Sequence, residues 1–198
     1  MDIINIDNDI NSLLTHIRCE HKEWTEHNFP GQLSHQPLLG IIEEIGELLE
    51  AINSKYSETE SFDNDDIKDA IADIFIFCVG YINVCCKNFS INPKTLESMI
   101  IDIQKSEYEV YVIGLIAKMA RQHLKMEQRI RCGIDDFVSQ NNEEIKSLIT
   151  EVMLYTVFCY YYFIGNQDMS GYLKNIIDVW DKVKARDWKK FPYNGVDR

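Results

Sequence analysis

The chain has 198 residues, 45% hydrophobic and 26% charged, with a formal net charge of −12. That length suits one compact domain or two small halves sharing a core, and nine glycines with four prolines argue against a β-rich or disordered chain. So acidic a protein lacks the positive surface that nucleic acid or an anionic membrane requires, so neither partner is expected.

Helical periodicity dominates, with no convincing alternation of strand type, so the fold class is all-α. A first helix is predicted over about residues 6–28, ending at Phe29–Pro30–Gly31. A linker through His35–Gln36–Pro37 leads to a second helix over about 38–55. A polar stretch over 56–64 reads as a loop, and a third helix follows over about 65–86. Asn92–Pro93 marks a turn, with a short helix expected from Lys94. Three more helical stretches cover about 107–131, 142–165 and 170–188, and the tail at 191–195 is not helical.

The N-terminus has no basic segment leading into an apolar stretch, which predicts no signal peptide. The most apolar segment, 152–165, is too short to span a bilayer and reads as core. The six cysteines show no CxxC or Cys–His zinc spacing. Reduced, largely buried thiols in a cytoplasmic protein are the expectation.

The second and third helices carry the chemistry. Glu43, Glu44 and Glu47 lie within the apolar run 38–49, and Asp69 and Asp73 within the apolar run 67–77. Residues three or four apart share a helix face, so each helix bears an acidic stripe. Two like charges about 4 Å apart repel by roughly 4 kcal/mol at an effective dielectric of about 20. Facing stripes must therefore take up protons or bind a cation. Hard divalent ions prefer oxygen ligands, and Mg²⁺ combines a few carboxylates with substrate phosphates. A solvated helix face is the plainer reading of either stripe alone.

The two halves of the chain look related. Residues 40–47 can be laid on 114–121, and 66–73 on 144–151, keeping the apolar pattern. Glu44 then meets Lys118, Glu47 meets Arg121, Asp69 meets Ser147 and Asp73 meets Glu151. The expected organisation is a tandem pseudo-dimer of helical halves, 1–105 with the acidic site and 106–198 a degenerate repeat. Such a chain can act as a monomeric pseudo-dimer or pair again as a homodimer. The sign reversal makes Arg121 and Lys125 candidates to meet a phosphate chain.

The pattern Glu43–Glu44–Ile45–Gly46–Glu47 followed by Asp69–Ala70–Ile71–Ala72–Asp73 resembles the MazG-like all-α nucleoside triphosphate pyrophosphohydrolases. Ala70 stands where their usual second-helix Glu would be, with Asp69 one residue earlier. The segments 24–40 and 180–190 are also similar to parts of those proteins. The resemblance implies a MazG-like helical bundle that hydrolyses a nucleoside triphosphate at the α-phosphorus to monophosphate and pyrophosphate. It implies Glu44, Glu47, Asp69 and Asp73 as ligands of Mg²⁺, with Mn²⁺ a possible substitute. Glu43, Glu44, Glu47 and Asp73 would be the catalytic set, with Glu43 a further ligand or the group orienting water. Trp24, His35 and Gln36 would contribute to the nucleotide pocket, although Trp24 could equally fill the core and His35 cap a turn. A di-iron bundle is disfavoured because no histidine follows a Glu by three residues. A catalytically inactive or regulatory bundle, binding a nucleotide or a protein partner, is the alternative.

Overall fold

A computed structural model describes residues 3–56, 64–86, 88–91, 107–133, 143–165 and 169–197. Every regular element among them is helical: α1 (Ile3–Asn28), α2 (His35–Tyr56), α3 (Asn64–Cys85), α4 (Tyr108–Arg131), α5 (Glu143–Cys159) and α6 (Met169–Lys184). α5 runs on into a π-helical turn, Tyr160–Ile164, which ends at Gly165 with φ of 74°. The helix expected from Lys94 falls outside the described residues.

α3 is the centre of the molecule and packs against α1, α2, α5 and α6. Its sequence explains the placement: Ile67, Ile71, Ile74, Phe75, Cys78, Val79 and Ile82 are all fully buried, covering most of its circumference. The surrounding helices bury one stripe each. In α2 that stripe is Leu38, Ile41, Ile45, Leu48 and Ile52, at the spacing that keeps one face inward. α5 with its π turn is long and apolar enough to cross a membrane, but two-thirds of that window (67%) is buried inside the fold.

Close approach of α2 to α3 depends on Gly40. A Cβ there would stand 2.4 Å from the Phe77 ring, so a bare backbone is needed. Gly80 similarly admits α1, since a Cβ on it would lie 3.1 Å from the His21 ring.

α2 starts at His35, three residues before the predicted boundary. Pro37 is tolerated in the first turn, where its missing N–H has no intrahelical partner. The Gln36 side chain accepts from the Leu33 N–H at 2.7 Å, helping to fix the entry. α4 lies antiparallel to α2. Near the C-terminal end of α4, Glu127 Oε1 is 3.4 Å from Ser34 Oγ and 3.6 Å from His35 Nδ1, at the start of α2. At the other end, Lys55 of α2 donates to the Phe163 carbonyl, and the Tyr108 ring of α4 lies 5.3 Å from the Phe163 ring.

The last helix stops at Lys184, four residues short of the predicted end at 188. Tertiary hydrogen bonds take the backbone groups that a continued helix would use. Trp188 N–H donates to Asn28 Oδ1 at 2.7 Å, the Arg186 carbonyl accepts from the Trp24 indole at 3.0 Å, and Asp187 N–H donates to the Gly195 carbonyl at 2.7 Å. The tail therefore folds back over the end of α1.

Candidate functional site

A cavity of about 360 Å³ opens where α1, α2, α3 and the C-terminal tail meet. Its walls are aromatic and its floor is acidic. Trp24 and Phe29 come from the end of α1, Phe77 from α3 and Trp188 from the tail, while Glu44 and Asp73 bring carboxylates from α2 and α3. Gln32, Gln36 and Arg186 supply the polar remainder. The Trp24 and Phe29 rings meet edge to face at 5.5 Å, and Phe29 lies 6.2 Å from Trp188. Behind them the neutral His21 ring stacks on Trp180 at 5.5 Å. Burial holds the His21 imidazole down to about 4.

Helical spacing places the two carboxylates. Glu44 sits at the edge of the buried face of α2, with Gly40 and Pro37 one and two turns before it. Asp73 sits among Ala70, Ile74 and Ile76 on the most buried helix. Burial pushes the Glu44 carboxyl up to about 8, reinforced by Asp73, Glu47, Glu43 and Asp69. Asp73 is pushed up to about 6, first by burial and then by Asp69, with Arg186 and Lys182 opposing. Glu43, Glu47, Asp69 and Asp73 thus all act on Glu44, and Asp69 and Glu47 on Asp73. Their donors are hard oxygens, and their mutual repulsion is what a divalent cation relieves, so the chemistry fits Mg²⁺. Among the described residues, however, no three His, Cys, Asp or Glu side chains are already grouped as metal ligands.

The other expected residues are placed as follows. Glu43 and Glu47 are exposed on the outer side of α2, and Asp69 is exposed on α3. They contribute charge to the site but do not line the cavity. Trp24 and Gln36 line it, with the Gln36 amide oxygen already engaged by Leu33. His35 is turned to Glu127 instead. Arg121 and Lys125 are on α4, outside the cavity lining, and the cations that act on Asp73 are Arg186 and Lys182. Glu151, which the repeat pairs with Asp73, accepts from Tyr111 Oη at 3.3 Å and Ser147 Oγ at 3.4 Å, so hydroxyls surround it where acids surround Asp73.

Phe29, Gln32 and Phe77 enter the cavity without having been singled out as site residues, and Arg186 and Trp188 enter it from a segment whose sequence reads as a surface helix or a phosphate-contacting tail. The Trp188 and Arg186 segment is basic and aromatic in the sequence. Helical continuation alone would have spread those groups around a surface helix, and only the bonds to Asn28 and Trp24 turn them inward. Gln32 Oε1 is buried and has no hydrogen-bond partner among the described residues, a cost that a ligand N–H would remove. No protein-family model, no curated protein and no solved structure matches this chain.

Proposed function

We propose that the protein hydrolyses a nucleoside triphosphate at the α-phosphorus, with Mg²⁺, releasing a monophosphate and pyrophosphate. The observation that carries this reading is one cavity in which aromatic walls meet Glu44 and Asp73. A nucleobase is planar and apolar on its faces, and Trp24, Phe29 and Trp188 offer surfaces for it to stack on. Gln32 offers an open acceptor to its edge. Arg186 stands where it can neutralise phosphate oxygens, because it already lowers the carboxyl value of Asp73. Glu44 and Asp73, with Glu47 and Asp69, are the groups that would hold Mg²⁺, and Glu43 is the acid left to orient water. Bound there, the ion lowers the pKa of water and offsets charge developing on the phosphoryl oxygens. The likeness of both acidic stripes to MazG-like enzymes supports the same assignment, and a cytoplasmic location belongs to it.

A second reading is a nucleotide-binding bundle without turnover. Glu43, Glu47 and Asp69 lie outside the cavity lining, which favours it. Incubation with a panel of canonical and modified nucleoside triphosphates, with Mg²⁺ or Mn²⁺, separates the two. Monophosphate plus pyrophosphate, lost in Glu47→Gln with helicity retained, is the expected result. Diphosphate plus phosphate would overturn the proposed cleavage site, and tight binding without products would favour the regulatory reading.

A further inference from the structure

His35 is turned from the cavity to a second polar cluster, between α2 and α4. Its Nδ1 lies 3.6 Å from Glu127 Oε1, and His123 Nε2 lies 3.2 Å from the same oxygen. His123 and Glu127 are four residues apart on α4, so one helix face presents both, while His35 is the first residue of α2. Two imidazole nitrogens and a carboxylate oxygen thus converge from two helices. The cluster runs from the interior to the surface: the His123 side chain is 3% exposed, Glu127 29% and His35 45%.

The spacing and the state of the rings suit a transition metal. Ligand atoms 2.0–2.1 Å from a tetrahedral Zn²⁺ stand roughly 3.4 Å from one another, and the two distances to Glu127 Oε1 fall on either side of that value. Burial holds the His123 imidazole below its ordinary value, with Glu127 opposing, which favours the neutral ring a metal needs. Behind that ring, Tyr81 Oη lies 3.0 Å from His123 Nδ1. A metal-bound imidazole donates its other N–H to such a partner. The Tyr81 hydroxyl can accept that proton while keeping its bond to the Cys85 thiol, so the change of tautomer leaves no buried group unpaired.

Without an ion, Glu127 bonds to the two rings directly, and among the described residues no three donors are gathered round one centre. Half-exposed His35 is the side chain with room to close, and its open side admits a water as fourth ligand. Ser34 Oγ lies 3.4 Å from Glu127 Oε1, and Arg131 Nη2 lies 4.0 Å from Oε2. Two imidazoles disfavour Mg²⁺, which takes oxygen ligands, whereas Zn²⁺ accepts nitrogen and carboxylate together.

We propose that His35, His123 and Glu127 form a Zn²⁺ site that clamps the C-terminal part of α4 to the start of α2. Gln36 and Pro37, the next two residues along α2, line the cavity, so the ion fixes that wall from outside. The site shares no ligand with the acidic stripes and is independent of the proposed hydrolysis.

Calorimetric titration of the full chain with Zn²⁺, in excess Mg²⁺, tests it. The expected result is a Zn²⁺ site retained in Glu44→Gln, which separates it from the acidic stripes, and a four-coordinate visible spectrum when Co²⁺ takes its place. His35→Ala and Glu127→Gln, both at accessible positions, should each raise the dissociation constant at least tenfold with far-UV circular dichroism unchanged. Tyr81→Phe keeps the ring and removes only the hydroxyl, and should raise it about ten- to a hundredfold, the range for a partner behind a metal ligand. Cys19→Ser/Cys132→Ser removes the two exposed thiols and should leave the affinity unchanged. A wild-type chain that takes up no Zn²⁺ would overturn the proposal. So would Zn²⁺ binding that survives His35→Ala and Glu127→Gln, or that disappears with the thiols or with Glu44→Gln.

Discussion

Glu44 and Asp73 are carboxyls that favour holding a proton, because burial and four neighbouring acids act on the first and burial with Asp69 on the second. For Glu44 the folded-state value, about 8, lies above the ordinary 4.5. Stability from this group is therefore fully present below about 4.5 and is lost as pH rises through 8. His21 acts in the other direction. Its value falls from 6.5 to about 4, so its contribution is present above 6.5 and lost as pH drops through 4. Thermal melting of the metal-free protein should decline on both sides of a weakly acidic maximum. Glu44→Gln should flatten the alkaline decline, and Mg²⁺ should flatten it in the wild type but not in the variant. The same variant should lose turnover by on the order of a hundredfold, since even outer-shell partners of a metal are worth 10–100-fold. A melting curve whose alkaline limb is identical in wild type and Glu44→Gln would remove the electrostatic basis of the site.

At the scale of the elements, α2 contains two glycines with opposite consequences. Gly40 faces Phe77 at a separation no side chain can occupy. Gly40→Ala should cost about 1–3 kcal/mol through overpacking, and by displacing the Phe77 ring it should also narrow the cavity. Gly46 faces open space, so Gly46→Ala should stabilise the protein by roughly 0.8–1.0 kcal/mol, the helix-propensity difference. Urea unfolding of the two variants measures both. The same helix shows what periodicity reveals. The spacing of Leu38, Ile41, Ile45, Leu48 and Ile52 gives its buried face, and the position of Glu44 on the rim of that face follows directly. Six helices among the described residues were legible in this way, within a few residues. What periodicity could not supply were features set by distant partners. The end of α6 is decided by Asn28 and Trp24, some 160 positions earlier, and His35 is turned from the cavity by Glu127, which no local pattern relates to it.

Over the whole molecule, the cavity is completed by joining the two ends of the chain, and that junction is open to test. The tail from 185 to 197 is held by Trp188 to Asn28, by Arg186 to Trp24 and by a pairing of His27 with Asp187 at 3.5 Å. Its fold depends on Gly195, whose φ of +74° favours glycine and whose Cβ would stand 2.7 Å from Arg186 Cβ. Trp188→Ala removes one aromatic wall and should weaken binding of a non-hydrolysable nucleoside triphosphate by about ten- to a hundredfold, the range expected for one stacking contact. Gly195 does not itself line the cavity, yet a Cβ there would press on Arg186 and the Trp188 ring, so Gly195→Ala should weaken the same ligand in the same direction by displacing the segment that carries them. Far-UV circular dichroism should be unchanged in both, because the tail adds no helix to the bundle. Calorimetric titration of the two variants beside wild type distinguishes the possibilities: a loss confined to Trp188→Ala would make the ring matter but not the fold of the tail. Equal affinity in all three proteins would mean that the C-terminal segment is not a wall of the binding site.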